Sequence, residues 1–341
     1  MGDILTALNM IFVPLNLVGL FAGVLVGIAF GCMPGLSVNM GLALLFPLAF
    51  TFHGIGGILM LLGIYCGAIY GGSISAILLK TPGTPASVAT TLDGYPMATK
   101  LGQPGRALGL STMASCFGGV FSTICLILLA PQLAKVALQF SKPEYFALAI
   151  FGLSIITSVS SGSVIKGIMG GLLGLFLATV GIDDMSGTIR FTLDTTYLLG
   201  GVSFIPVLIG VFAFAQVLSS IEEYYHNERS EQHMQLDRLL PSFDDIKRVF
   251  ATLVRSSCIG TFIGCVPGTG GDIASFVSYD QAKRWSKHSK NFGNGEPEGI
   301  VASEAGNNAV SGGAFIPVLT LGIPGDGATA IMMGALMVQG L

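Results

Sequence analysis

The chain has 341 residues, of which 52% are hydrophobic and only 10% charged, and its formal net charge is −3. A mean hydropathy of +0.76 excludes an ordinary soluble domain, and 48 glycines fit a polytopic membrane protein, where small residues let helices approach closely. No basic tract interleaved with aromatics points to nucleic acid.

Leu15 to Phe52 carries no charge over about 38 residues, nearly twice the ~20 that one crossing needs. Pro34-Gly35 lies in its middle, so either two helices span here or one hairpin turns at residues 33–39 and leaves on the side it entered. No positively charged region or small-residue cleavage site precedes this segment, which is therefore expected to be retained. Gly54 to Met97 follows, broken by Gly71-Gly72 and by Thr81-Pro82-Gly83-Thr84-Pro85. Proline removes a backbone donor and clashes with the preceding turn, so no continuous helix passes through 81–85. Four further spans are predicted at Gly105 to Ala130, Tyr145 to Val159, Val164 to Val180 and Tyr197 to Ser219. Pro143-Glu144 opens the second of them.

Residues 221–248 form the one sizeable polar stretch, with Arg229, Arg238, Lys247 and Arg248; Ser242, Asp244 and Asp245 mark a helix start. Residues 250–282 are then largely apolar around Pro267-Gly268-Thr269-Gly270-Gly271-Asp272. A basic run, Lys283, Arg284, Lys287 and Lys290, precedes the segment 299–341, which contains Glu304, Asn307 and Asn308 and is broken at Pro324-Gly325-Asp326-Gly327.

The two interrupted regions match each other. Gly27, Gly31, Cys32 and Pro34-Gly35 recur 233 positions later at Gly260, Gly264, Cys265 and Pro267-Gly268. Gly57-Ile58, Gly71 and Pro82-Gly83 recur 242 positions later at Gly299-Ile300, Gly313 and Pro324-Gly325. Two ungapped matches in the same order predict an internal duplication. The first repeat covers 1–220 (hairpin 15–52, broken helix 54–97, four spans in 105–219), the linker 221–248, and the second repeat 249–341 (hairpin 250–282, broken helix 299–341). Basic residues flank the second hairpin on both sides and follow the first broken helix at Lys100 and Arg106, but none flanks the first hairpin. The positive-inside tendency then places the second hairpin, the linker and residues 98–106 in the cytoplasm and the first hairpin and the N-terminus outside. The expected fold is an all-α polytopic membrane protein of inverted repeats, with re-entrant hairpins and discontinuous helices.

Inverted repeats with helices interrupted at mid-membrane point to a secondary transporter, with substrate and coupling ion bound at the interruptions. Half-helix N-termini favour anions, and unwound carbonyls and half-helix C-termini coordinate cations. The candidate substrate residues are Pro34, Gly35, Ser37, Asn39, Lys80, Thr81, Pro82, Gly83, Thr84, Ser87, Pro267, Gly268, Thr269, Pro324, Gly325 and Thr329. The candidate coupling-ion residues are Asp272, Asp326, Glu304, Asn307 and Asn308, with Na⁺ expected at Asp272 and Asp326 or H⁺ in its place, because a carboxylate at membrane depth is costly unless paired or hydrated. No cofactor is expected. Against these readings, a Pro-Gly is commonly a simple kink, Ser and Thr commonly bond their own helix, and Lys80 equally fits snorkelling to the surface.

Catalysis is not expected. Tyr279-Asp280 resembles half of an intramembrane aspartyl protease pair, but no Gly-x-Gly-Asp follows, and HExxH, GxSxG and P-loop patterns are absent. The six cysteines form no CxxC or Cys/His cluster and read as free thiols. A channel and a non-transporting scaffold are the competing functions. The channel predicts a continuous polar stripe rather than polarity concentrated at four breaks, and the scaffold leaves the duplicated breaks unexplained.

Gly27 to Gly35, Leu79-Lys-Thr-Pro-Gly-Thr-Pro-Ala86, Leu92-Asp-Gly-Tyr-Pro-Met97, Pro143-Glu-Tyr-Phe-Ala-Leu148, Ala274-Ser-Phe-Val-Ser-Tyr279 and Leu319-Thr-Leu-Gly-Ile-Pro-Gly325 resemble, in order and over essentially the whole chain, the large membrane subunit of the tripartite tricarboxylate transporters. The resemblance implies a bacterial inner-membrane protein importing citrate-like or related carboxylates, driven by an ion gradient. Its implied partners are a periplasmic solute-binding protein, a small membrane subunit and the lipid bilayer, with a homo-oligomer left open. Members of that family are longer, so the second repeat is expected to be truncated here. Lys80 stands where the family carries an uncharged polar residue, typically asparagine.

Overall fold

A computed structural model of the chain describes residues 2–49, 51–52, 55–144, 146–147, 150, 163–183, 187–202, 206–207, 210–211, 218 and 237–340. Its helices are α1 (Gly2–Ile11), α2 (Pro14–Cys32), α3 (Val38–Ala49), α4 (Gly56–Leu79), α5 (Val88–Thr99), α6 (Pro104–Ala137), α7 (Val164–Ala178), α8 (Phe243–Gly264), α9 (Gly271–Trp285), α10 (Pro297–Leu321) and α11 (Gly327–Val338). Most of the spans expected at 145–159 and 197–219, and linker residues 221–236, lie outside the described residues. Among the described residues, α2, α4 and α6 are long and apolar enough to cross a membrane. The only strand pairing described is a two-residue antiparallel ribbon, Gly181–Ile182 with Ile189–Arg190, which the sequence pattern did not announce.

Helix starts follow local chemistry. Ser242 accepts the Asp245 N–H while the Asp245 carboxylate takes the Ser242 N–H, a reciprocal cap that fixes the start of α8 where the sequence placed it. Proline occupies the first turn of α2, α6 and α10, where its missing N–H is no loss.

Glycines set the packing. A Cβ at Gly23, Gly27 or Gly31 of α2 would stand 2.2, 2.4 or 2.2 Å from the carbonyl oxygens of Met60, Ile64 or Ala68 on α4. Both series rise together, so α2 and α4 run parallel with their backbones in contact. α3 returns the other way, its Ala49 carbonyl 2.2 Å from the Cβ position of Gly57. Lipid gives apolar helices no hydrophobic reason to associate, so such backbone proximity supplies the attraction by close van der Waals packing.

The same contacts occur between α8 and α10. A Cβ at Gly260 would stand 2.1 Å from the Gly306 carbonyl oxygen and one at Gly264 2.8 Å from that of Val310, and α9 returns past Gly306 through Ser278 and Ala274. These pairs stand at the positions of Gly27 with Ile64 and Gly31 with Ala68 under the offsets of 233 and 242.

α10 lies at the centre and is buried at every position from Pro297 to Val318. α6 runs parallel to it, Gly118 against Ala305 and Ser122 against Gly312. α4 runs antiparallel to it. The Tyr65 and Phe315 rings meet edge to face at 6.1 Å, and further along Ile77 shares an apolar cluster with Ile300. Thus α2 and α4 point one way and α6, α8 and α10 the other.

The polar ends sort accordingly. At one end Lys100 reaches Asn294 (3.4 Å), Arg106 pairs with Asp245, and Asp237 accepts the Gly105 and Arg106 N–H groups. At the other, the Asn16 side chain at the start of α2 lies beside Gly56 and donates to the Met10 carbonyl at 2.7 Å. Residues 98–106, the end of the linker and the segment after the basic run therefore share one end of the bundle, and both ends of the first hairpin share the other.

Candidate functional site

α2 ends at Cys32 and the chain turns through Gly35, whose φ of 88° requires glycine, before Ser37 Oγ accepts the Met40 N–H at 3.1 Å and starts α3. α4 ends at Lys80 in a left-handed conformation (φ 59°), because Pro82 ahead of it cannot continue the helix. Gly83 then folds back. It donates to the Gly72 carbonyl at 3.3 Å, and its Cβ position is 1.9 Å from the Gly31 carbonyl oxygen. The first break is thus wedged against the first hairpin tip.

At the corresponding positions α10 ends at Gly322 (φ 67°), and Gly325 has its Cβ position 2.9 Å from the Gly264 carbonyl oxygen and accepts the Gly268 N–H at 2.8 Å. Two further contacts join tips to opposite breaks. The Asn39 amide lies 2.8 Å from the Cβ position of Gly327, and that of Gly271 lies 3.2 Å from the Ala86 Cβ. Residues 31–39, 80–87, 264–272 and 322–329 therefore form a closed ring of contacts.

Within the ring, many hydroxyls and one acid are committed locally. Thr84 and Ser87 bond each other around the 3-10 turn Pro85–Ser87 and are buried. Asp326 and Thr329 form the equivalent box, with Asp326 Oδ1 accepting the Thr329 N–H at 2.7 Å. Tyr65 adds a hydrogen bond to Asp326 Oδ2 at 3.3 Å. The Thr269 hydroxyl donates to the Ile263 and Val266 carbonyls. Pro34, Thr81 and Asp272 are exposed, and Pro82, Pro267 and Pro324 half-buried. Lys80 places its ammonium 5.7 Å from the Tyr95 ring centre, a cation–π contact that neither sequence reading of Lys80 anticipated.

Glu304, Asn307 and Asn308 share a face of α10 by spacing, but the structure divides them. Glu304 is 0% exposed and accepts hydrogen bonds from Thr90 of α5, Ser115 of α6 (3.1 Å) and Asn308 (3.3 Å). Asn308 also donates to Ser115 at 2.9 Å. All three donors to the Glu304 side chain are neutral, so hydrogen bonding rather than ion pairing holds this carboxylate. Asn307 turns instead to the second hairpin, its Oδ1 2.3 Å from the Cβ position of Gly271, and its Nδ2 is buried without a partner.

Sequence reasoning gave no role to Asp93, which the structure makes a principal anchor. It is buried, and its carboxylate accepts the N–H groups of Gly293, Gly295 and Glu296 at 2.8–2.9 Å and the Tyr279 hydroxyl at 2.8 Å. Tyr279 therefore serves Asp93, and its neighbour Asp280 pairs with Arg284 at 2.8 Å. Nearby, Arg248 pairs with Glu296, while Thr252 and Ser286 donate to Glu298, each at 3.0 Å. Only the motif Leu92-Asp-Gly-Tyr-Pro-Met97 hinted at Asp93, because its partners are backbone amides two hundred positions away. Among the described residues no group of three His, Cys, Asp or Glu could hold a metal ion.

Comparison with known proteins places the chain in a family. The model of the tripartite tricarboxylate transporter TctA family matches residues 17–341. A protein of Agrobacterium vitis, described as an uncharacterized 52.8 kDa protein in the TAR-I ttuC' 3' region, is 39% identical over 345 residues, which covers all of this chain and 68% of that protein. A second from the same organism, an uncharacterized protein in the TAR-II ttuC' 3' region, is 44% identical over 82 residues, 24% of this chain and 34% of that protein. No solved structure matches.

Proposed function

The chain belongs to the tripartite tricarboxylate transporter TctA family, and from that premise we propose that it is the subunit that carries tricarboxylates or related carboxylates inward, coupled to Na⁺ or H⁺. One observation carries the reading. Two hairpin tips and two helix breaks, far apart in sequence, meet in a closed ring between helices α4 and α10 that run in opposite directions. Such meeting of interrupted helices exposes amide and carbonyl groups for anion and cation at membrane depth. The recurrence of the Gly31–Gly83 contact as Gly264–Gly325 supports inverted repeats.

In this proposal the subunit resides in the bacterial inner membrane with a periplasmic N-terminus. The end carrying Lys100 and Arg106 faces the cytoplasm. A periplasmic binding protein delivers substrate and a small membrane subunit completes the complex. The ring residues hold substrate, and Asp272, Asp326 or Glu304 carry the coupling cation.

The test is equilibrium binding of radiolabelled citrate and other carboxylates to the assembled complex, with and without Na⁺ and across pH. Saturable, cation-dependent binding is expected. Saturable binding indifferent to both cations would sink the coupling, ion flux without saturation would favour a channel, and neither binding nor flux would favour a scaffold.

A further inference from the structure

The end of the second hairpin far from the ring carries cations without matching anions. Arg255 of α8 lays its guanidinium over the indole of Trp285, the last residue of α9, at 4.7 Å from the ring centre. The described residues supply that guanidinium with a single acceptor. Its Nη2 donates to the Thr252 hydroxyl at 3.4 Å, and its Nε is buried without a partner. Among the described residues no acid forms an ion pair with Arg255, and the Glu298 carboxylate beyond Thr252 is taken up by the Thr252 and Ser286 hydroxyls. Lys283, Lys287 and Lys290, around Trp285, are exposed, while Arg284 takes Asp280. The indole itself is 66% exposed. Toward the hairpin tip the exposed surface of the same two helices turns apolar, through Phe262 on α8 and Ile273, Phe276 and Val277 on α9.

We propose that Arg255 and Trp285, with Lys283 and Lys287, bind the headgroup phosphate of an anionic phospholipid whose acyl chains lie along Phe262, Phe276 and Val277. A phospholipid passes from apolar to anionic at the membrane surface, and the exposed surface of α8 and α9 passes from apolar to basic at Arg255 and Trp285. The two divisions match. Tryptophan favours that level because its ring is apolar and its N–H polar. The cation–π contact uses the face of the guanidinium and leaves the N–H donors on its edge for a phosphate. Lys283 and Lys287, two residues to either side of Trp285, add point charges that draw an anionic headgroup and fall off within a screening length. The apolar continuation is what commits the site to a lipid, since a soluble anion has no use for it. The site stands apart from the ring, and it requires only that this end of the bundle lie at a membrane surface.

Trp285 is the one tryptophan of the chain, so its fluorescence reports the site directly. The experiment reconstitutes the assembled complex into phosphatidylcholine vesicles containing increasing fractions of phosphatidylglycerol, or of phosphatidylcholine, brominated on the acyl chains. Quenching is read as the difference between wild type and Trp285→Phe, which removes the signal of any other tryptophan in the complex. Phosphatidylglycerol is expected to half-quench wild type at roughly one-tenth the fraction that phosphatidylcholine needs. Arg255→Gln, and separately Lys283→Gln with Lys287→Gln, are each expected to raise that fraction roughly fivefold. Equal curves for the two lipids in wild type overturn the site. A full preference in the lysine double variant, whose side chains are exposed, also overturns it, and so decides the matter even if Arg255→Gln does not assemble. Loss of the preference in inorganic phosphate, but not in NaCl of equal ionic strength, overturns it in favour of a soluble anion. Quenching by neither lipid overturns it in favour of a protein cover.

Discussion

Gly83 lies so close to the carbonyl of Gly31 that a Cβ there would stand 1.9 Å from the oxygen, and Gly325 repeats the relationship with Gly264 at 2.9 Å. Both contacts press a Pro-Gly break onto the last turn of the hairpin's first helix. They explain why a glycine follows the proline in each copy: proline stops the helix and glycine lets the freed chain fold back onto it.

Gly83→Ala is expected to destabilise the protein by about 1–3 kcal/mol or more, since the obstructing atom belongs to the backbone and cannot rotate away. Gly325→Ala should cost less, because its nearest neighbours, the Ala314 Cβ at 2.6 Å and backbone atoms at 2.8 and 2.9 Å, stand farther off than the oxygen at 1.9 Å that faces Gly83. Thermal unfolding of the purified variants checks the order, and equal midpoints would show that the tips yield.

Asp93→Asn should loosen the joint between α5 and the segment leading into α10. The neutral amide oxygen accepts the Gly293, Gly295 and Glu296 N–H groups less strongly than the carboxylate, whose bonds are worth about 1.5–3 kcal/mol each, and the NH₂ in place of Oδ2 donates to the Tyr279 hydroxyl and so reverses that bond. Tyr279→Phe removes only the hydroxyl donor and should cost about 1 kcal/mol. Hydrogen exchange of the Gly293, Gly295 and Glu296 amides provides the local readout, with faster exchange expected in Asp93→Asn than in Tyr279→Phe.

Coupling is tested separately from folding by Glu304→Gln, Asp272→Asn and Asp326→Asn. Asparagine caps a helix as well as aspartate does, so Asp326→Asn should keep α11. Glutamine fills the space of Glu304 among Thr90, Ser115 and Asn308. The expectation is that at least one of the three loses cation-dependent uptake while the complex still assembles. Intact ion-driven uptake in all three would remove these acids from the coupling step.

The Arg106–Asp245 pair gives a pH signature at the polar end of the bundle. Burial opposes ionisation of Asp245, but hydrogen bonds from Arg106 and Ser242 and the guanidinium charge outweigh it and hold its carboxyl below the usual range. A depressed folded-state pKa contributes stability above the unfolded value of about 4, and that contribution is lost as pH falls through the folded value. Arg106 is partly exposed, so the gain is screened to about 1 kcal/mol or less. Unfolding midpoints of wild type and Arg106→Ala should therefore differ most above pH ~4 and converge below it.

The sequence by itself determined the membrane class, the helix interruptions at the four Pro-Gly pairs, the offsets of 233 and 242 and the start of α8 at Ser242, but the break expected at Gly71-Gly72 does not form, because α4 runs through both glycines without interruption. Those features are local: proline, glycine and capping side chains act within a few residues, and apolar runs declare themselves by length. Which residues meet was decided only by the tertiary structure. Spacing put Glu304, Asn307 and Asn308 on one helix face, yet packing sent Glu304 and Asn308 toward α5 and α6 and Asn307 toward α9. Asp93 was silent because a carboxylate bound by backbone amides needs no particular side chain in its partners. Equivalent breaks likewise acquired unequal chemistry, since Thr84 and Asp326 occupy matching caps but only Asp326 receives a tyrosine hydroxyl from across the bundle. A helix presents several faces at one spacing, and the neighbour packed against each face decides what its side chains do.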